Sequence, residues 1–212
     1  MPTNKQYIQD LYSLNKQALL LEEMEHYASL HSVPIIERDG VELLKQLIRL
    51  HKPNQILEIG TAIGYSAIQM ASANCETQIT SIEIDEERFH IASKNVEKVD
   101  MTDRIHLILE DANQYLNQLK DEQFDFVFVD AAKGQYQSYI EKVIPFLKTG
   151  SLIVIDNVLF KGYVSKEVQD DRKRLMKLGE KIDRFNQWLI KHPELDTTVV
   201  ETGDGVAIAL KR

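Results

Sequence analysis

Cysteine is all but missing from this 212-residue chain: Cys75 stands alone, so no internal disulfide can form and the fold must rest on its own core. Long apolar runs are missing too. No window approaches the roughly 18 uninterrupted apolar residues that argue for a membrane span, and the mean hydropathy of -0.29 agrees. The opening stretch MPTNKQYIQDLYSLNK has charged and polar residues where a secretory signal needs an apolar centre, so a reducing cytoplasm is the expected setting. Excess positive charge is also lacking. Twenty-five basic against 33 acidic residues leave -8 at pH 7, and any nucleic-acid binding must come from a local patch. There is no internal repeat, low-complexity tract or linker-like stretch. With 43% hydrophobic and 27% charged residues, disordered, collagen-like and coiled-coil chains are excluded, and one globular domain over 1–212 is expected.

Five short runs rich in β-branched residues are present: QILEIG, QITSIEID, RIHLILED, FDFVFVD and SLIVIDN. They alternate with stretches whose apolar residues recur every three or four positions. This alternation predicts an α/β, Rossmann-like doubly wound sheet, largely parallel and covered on both faces. Residues 4–50 read as helices with a break near Val33-Pro34, because proline lacks an amide donor and disfavours helix in the residue before it. Thus 1–50 is the expected helical cap and 51–160 the core, followed by 161–212. That last part holds a polar loop, an amphipathic helix from about Lys166 to Lys191, and the runs DTTVVETG and DGVAIALK joined at Gly203-Asp204-Gly205. Glycines between two closely spaced strands predict an antiparallel hairpin at the sheet edge, for seven strands in all with an antiparallel C-terminal strand.

The first strand runs into Glu58-Ile59-Gly60-Thr61-Ala62-Ile63-Gly64-Tyr65-Ser66 and then a helix, the arrangement in which nucleotide-like cofactors bind. A dinucleotide fingerprint starting at Gly60 would need glycine where Ala62 and Tyr65 stand, which disfavours a nicotinamide cofactor. Glu58 suits a cationic ligand such as the aminoacyl end of S-adenosylmethionine and is awkward beside a phosphate. Glu83 follows Gly60 at close to the ~20-residue offset of an acid that accepts from ribose hydroxyls; the competing role, capping the next helix, fits Asp85 or Glu86 better. Asp111-Ala112 could border the adenine, with helix capping an equally good role for Asp111.

Asp130 closes FDFVFVD, and Asp156-Asn157 close SLIVIDN. In neighbouring parallel strands about 4.8 Å apart these tips converge on one crevice. Two carboxylates and an amide, with no histidine or cysteine cluster, suit a hard cation such as Mg²⁺ and serve zinc poorly. The competing explanation is that Asp and Asn end strands as turn formers. Lys133, three residues past Asp130, can enter the same crevice as a general base, although most lysines are surface charges.

These motifs, LEIGTAIGYS, the acid of SIEID, DAAKGQY, IDN and the late GDG, resemble the cation-dependent class I O-methyltransferases of the catechol and caffeoyl-CoA type over nearly the whole chain. PIIERDG, EIGTAIGYSAI, DAAKGQY and DNVLFKG are further similar to bacterial tRNA 5-hydroxyuridine methyltransferases, which form 5-methoxyuridine at the wobble position. The resemblance implies Mg²⁺ on Asp130, Asp156 and Asn157, with Asp130 and Lys133 in the reaction. It implies S-adenosylmethionine at Ile36, Ser66, Glu83, Asp111, Ala112 and Asp130, to which Glu58, Gly60 and Tyr65 of the loop are added. A homodimer is also implied.

The favoured reading is a Mg²⁺- and S-adenosylmethionine-dependent O-methyltransferase that acts on 5-hydroxyuridine at the wobble position of the tRNA anticodon loop; the alternative acceptor is a small catechol- or caffeoyl-CoA-type phenol. Both 5-hydroxyuracil and catechol offer adjacent oxygens, so the motifs do not separate them. For RNA, the segment KGYVSKEVQDDRKRLMK offers Lys161, Lys166, Arg172, Lys173 and Arg174, while Glu167, Asp170 and Asp171 interleave and allow an ordinary solvated helix face. Rivals from other classes are an NAD-dependent oxidoreductase, opposed by Ala62 and Tyr65, and a non-catalytic cofactor-binding module, opposed by the intact Asp130, Lys133, Asp156 and Asn157 set.

Overall fold

The computed structural model describes residues 3–14, 19–168 and 172–212, so the interleaved Asp170 and Asp171 lie outside the described residues. Three helices come first: α1 (Asn4–Ser13), α2 (Leu19–His31) and α3 (Arg38–His51). The expected break falls between α2 and α3, where residues 33–37 run without helix around Pro34. Then follow β1 (Gln55–Ile59), α4 (Tyr65–Ala73), β2 (Gln78–Glu83), α5 (Glu86–Lys98), β3 (Ile105–Leu109) and α6 (Ala112–Gln118). The second half holds β4 (Phe124–Val129), α7 (Tyr136–Val143), β5 (Leu147–Ile155), α8 (Lys173–Ile190), β6 (Leu195–Val200) and β7 (Val206–Lys211).

The strands form one seven-stranded sheet in the order β3-β2-β1-β4-β5-β7-β6. β1 to β5 pair in parallel, and β7 runs antiparallel to both β5 and β6. This is the doubly wound architecture expected, with the C-terminal hairpin entering so that β7 lies against β5 and β6 takes the edge. One boundary differs. Helix α8 starts at Lys173 rather than near Lys166, because Phe160, Lys161 and Lys166 hold φ of 46°, 52° and 65°. A right-handed helix cannot contain such left-handed residues.

Strand β4 shows how the sheet is buried on both faces. Phe126 and Phe128 enter a core with Val41, Leu44, Ile68 and Met70, while Val127 and Val129 enter another with Ile140, Val143, Phe185 and Leu189. The side-chain period of two thus sends alternate residues to opposite helical layers, and each fully buried side chain of this kind contributes about 1.5 to 3 kcal/mol. From β1 the chain winds outward to β2 and β3, and from β4 outward the other way to β5. The switch lies between β1 and β4, where a doubly wound sheet opens its ligand crevice. Gly60, at φ 103°, makes the crevice floor possible: a Cβ there would lie 2.1 Å from the Asp130 carbonyl oxygen. Among the described residues no helix is long and apolar enough to cross a membrane.

Candidate functional site

A cleft of about 390 Å³ lies beyond the C-terminal ends of β1 to β4, within the size range of small-molecule sites. Six residues singled out by sequence line it or its mouth: Gly60, Glu83, Asp111, Ala112, Asp130 and Lys133. Glu83 is the best anchored. Its Oε2 accepts from the Ala62 amide at 2.7 Å, and its Oε1 accepts from the Ile84 and Asp85 amides at 2.9 Å each. A carboxylate offers about four acceptor positions, so room remains for a ligand hydroxyl. The capping role belongs to Asp85, whose Oδ1 accepts from the Arg88 amide at 3.0 Å. Asp111 lines the cleft and also caps α6, accepting from the Gln114 amide at 3.1 Å.

Four other residues of the cofactor set sit off the cleft. Glu58 is fully buried beneath the glycine loop, where its carboxylate accepts from the hydroxyls of Ser66 and Ser81. Burial pushes its pKa up to about 8, against the lowering effect of those serines. Ser66 is therefore turned toward Glu58. Tyr65 points to the cap instead, its hydroxyl donating to Glu25 of α2 at 2.5 Å, with burial raising its pKa. Ile36 belongs to the core under α3, and Pro34 of the same segment lines the cleft in its place. Sequence reasoning also missed Arg88, Gln135 and Tyr139, which line the cleft from α5, the turn before α7 and α7 itself. No local motif joins these three elements.

On the β4 and β5 side, Val129 of β4 pairs with Ile155 of β5, so Asp130 and Asp156 follow at matching positions on adjacent strands. The Asp130 amide donates to Ile59 O and the Asp156 amide to Val129 O, both at 3.0 Å. Burial raises both carboxyl pKa values; Lys133 opposes this at Asp130, while Asp130 repulsion adds to it at Asp156, which reaches about 7. Asn157 follows with φ 61°, its amide donating to Asp156 Oδ1 at 2.8 Å. Tyr136, wholly buried, donates its hydroxyl to the Asp156 carbonyl at 3.0 Å. Lys133 Nζ stands 5.8 Å from the centroid of the Phe160 ring.

The donor set fits a hard divalent cation: two converging, mutually repelling carboxylates and a neighbouring amide, all oxygen donors. Among the described residues no group of three or more His, Cys, Asp or Glu could hold a metal ion.

The expected basic cluster is exposed and longer than its linear run. Lys161 lies in the loop after β5, and the Arg172 guanidinium carbon stands 5.7 Å from the Tyr163 ring centroid just before α8. Along α8, Arg174, Lys177, Lys181 and Arg184 recur at three- and four-residue spacing, with Lys173 beside them. Lys181 borders two hollows, one shared with Lys173, Arg174 and Lys177, the other with Lys133 and Arg184. A path of cations therefore leads from the start of α8 to the cleft mouth. The first turn of α8 contains no acidic residue, so the positive end of the helix adds to these charges.

Residues 12–212 match the family model described as O-methyltransferase. A catechol O-methyltransferase of Niastella koreensis is 30% identical, the match covering 96% of this chain and 94% of the relative. A Staphylococcus aureus structure provisionally named a caffeoyl-CoA O-methyltransferase is 34% identical with a TM-score of 0.90, covering 99% of each chain. An O-methyltransferase of Bacillus cereus, solved in complex with SAH, is 27% identical with a TM-score of 0.83, covering 98% of this chain and 96% of that one.

Proposed function

Because the chain belongs to the O-methyltransferase family, we propose that it transfers the methyl group of S-adenosylmethionine to a hydroxyl lying beside a second oxygen, assisted by Mg²⁺. The observation that carries this reading is the register of β4 on β5, which puts Asp130, a residue of the cleft lining, beside Asp156 on the next strand. In this proposal Asp130, Asp156 and Asn157 hold the cation. When bound, the cation would lower the pKa of the neighbouring hydroxyl, and S-adenosylmethionine would supply the electrophilic methyl. Glu83 accepts from the ribose hydroxyls, Asp111 and Ala112 border the adenine, and the Gly60 loop lets backbone approach the ligand. Lys133, as the neutral amine, accepts the hydroxyl proton at Nζ, and the two sides hold oxygen and methyl in line. Mixing the protein with labelled S-adenosylmethionine and a catechol tests the reaction; label in the phenol, lost with chelator, is the expected result.

A small phenol is the acceptor that the catechol and caffeoyl-CoA relatives favour. A second reading, wobble 5-hydroxyuridine of tRNA, is favoured by the cationic path along α8 on a chain of net charge -8. Like charges gathered at a helix start repel one another and the helix dipole, and a phosphate backbone relieves both. Nucleoside analysis of tRNA from cells with and without this chain separates the acceptors: loss of 5-methoxyuridine selects tRNA, and an unchanged profile selects the phenol. We also propose a homodimer in the cytoplasm. Supporting the dimer, Tyr7, Ile8 and Leu11 of α1 and Leu14 just past its end lie at helical spacing and remain exposed; sedimentation measures it.

A further inference from the structure

The turn Gly203-Asp204-Gly205 joins β6 to β7, yet its hydrogen bonds reach well beyond the hairpin. The Gly205 carbonyl accepts from the Val158 amide at 3.0 Å, and the Asp204 carbonyl accepts from the Leu159 and Phe160 amides at 2.8 and 3.2 Å. These are the three amides that directly follow Asn157. On its other side the turn is tied to the cap, where Asp39 of α3 accepts the Gly203 amide at 3.1 Å. The segment it grips is strained: Asn157, Phe160 and Lys161 hold φ of 61°, 46° and 52°, none of them glycine. Such residues persist only where their surroundings over-determine them. Asn186 of α8 supplies a further anchor, donating to the Val158 carbonyl at 2.8 Å.

We propose that the turn Gly203-Asp204-Gly205 is a positioning element for the acceptor side of the site, holding residues 158–160 so that Asn157 stays beside Asp156 and the Phe160 ring stays beside Lys133. The proposal rests on the methyltransferase reading above. It assigns the turn no contact with either substrate. Its effect passes through backbone carbonyls, and Gly205 is the sensitive residue. A Cβ there would lie 2.3 Å from Leu159 Cγ and 2.8 Å from Leu159 Cβ and Cδ1. Gly203 gives an internal control, since it too has a positive φ, 57°, but an added Cβ would meet nothing closer than 3.6 Å.

The test compares Gly205→Ala with Gly203→Ala in the full chain. Amide exchange at 158–160 reports the clamp directly, calorimetry with S-adenosylhomocysteine reports the cofactor side, and steady-state kinetics with a catechol report the acceptor. Gly205→Ala is expected to speed exchange and raise acceptor KM by about tenfold each, with S-adenosylhomocysteine affinity within about twofold of wild type. Adding Leu159→Ala, which removes two of the three crowding atoms, should recover part of the loss. Gly203→Ala carries the left-handed strain without the clash and should move each reading by no more than about twofold. If Gly205→Ala does not fold, Asp39→Ala, which frees the Gly203 amide, should speed the same exchange to a smaller degree. Unchanged exchange in the folded variants, or acceptor and cofactor affinities falling together, overturns the proposal. A wild-type protein that methylates no acceptor refutes the proposed function instead, and the exchange result still decides whether the turn holds the segment.

Discussion

On the β1 to β3 side of the cleft, the candidate cofactor groups are fixed by backbone amides: Glu83 by two amides of its own turn and by the Ala62 amide of the glycine loop, Asp111 by the helix that it caps. On the β4 and β5 side, Asp130, Asp156 and Asn157 lie at strand tips; Tyr136 holds the Asp156 carbonyl, and Asn186 and the turn at Gly205 hold the segment after Asn157. The first side is a preformed cradle assembled from the turns that follow β1, β2 and β3. The second gathers charge and strain whose support comes from the far end of the chain. Binding of cofactor and handling of acceptor should therefore be separable by mutation.

The largest expected effect breaks the acceptor side alone. Asp156→Ala should lower methyl transfer by about three orders of magnitude or more, several kcal/mol of charge stabilisation, while S-adenosylhomocysteine affinity measured by calorimetry stays within about twofold. A matching loss of cofactor affinity would merge the two sides. On the other side, Glu83→Ala should weaken S-adenosylmethionine binding by about 1.5 to 3 kcal/mol, the range for hydrogen bonds to a charged group. Acceptor KM at saturating cofactor should hardly move; unchanged cofactor affinity would remove Glu83 from the ribose.

Much of this division was legible in the sequence because of where the chain puts its bonds. Buried parallel strands read as apolar runs, so β1 to β5 and their acidic tips stand out, and the loop from Gly60 to Gly64 announces the cradle. The true partners of Tyr65 and Glu58 do not: Glu25 lies 40 residues before Tyr65, and Ser81 lies 23 residues after Glu58. Only tertiary packing brings them together. The start of α8 was obscured because a polar segment with three- and four-residue spacing reads as helix even where the backbone turns left-handed. Counting contiguous charges stops the basic cluster at Arg174, whereas helical spacing carries it on through Lys177 and Lys181 to Arg184.

That extended cluster sharpens the acceptor side further. Replacing Lys173, Arg174 and Lys177 with glutamine should lower tRNA affinity and reduce the slope of its salt dependence by about 2 to 3, since fewer counterions are released. Cofactor binding and catechol methylation should not change. A tRNA salt slope equal to that of wild type would make α8 a solvated face.

A separate effect, on stability and on neither substrate, concerns Glu58, beneath the cradle. Its carboxyl is raised from 4.5 to about 8 by burial, so the folded protein holds that proton more tightly than the unfolded chain. Stability from the neutral carboxyl is present below the unfolded pKa and is lost as pH rises toward about 8. Glu58→Gln, uncharged throughout, should show a flatter stability profile between about pH 5 and 8 in denaturant titrations. Parallel profiles would mean that Ser66 and Ser81 keep the carboxylate charged.

The central claim is methyl transfer from a preformed cofactor cradle to an oxygen pair held by a cation at the β4 and β5 tips. The most direct measurement follows labelled methyl from S-adenosylmethionine into catechol and, in parallel, into tRNA carrying 5-hydroxyuridine, with Mg²⁺ and then with excess chelator. The account predicts transfer to at least one acceptor with Mg²⁺, its loss in chelator with S-adenosylhomocysteine still bound, and recovery when Mg²⁺ is restored. Full transfer in chelator, or none to either acceptor with Mg²⁺, would contradict it.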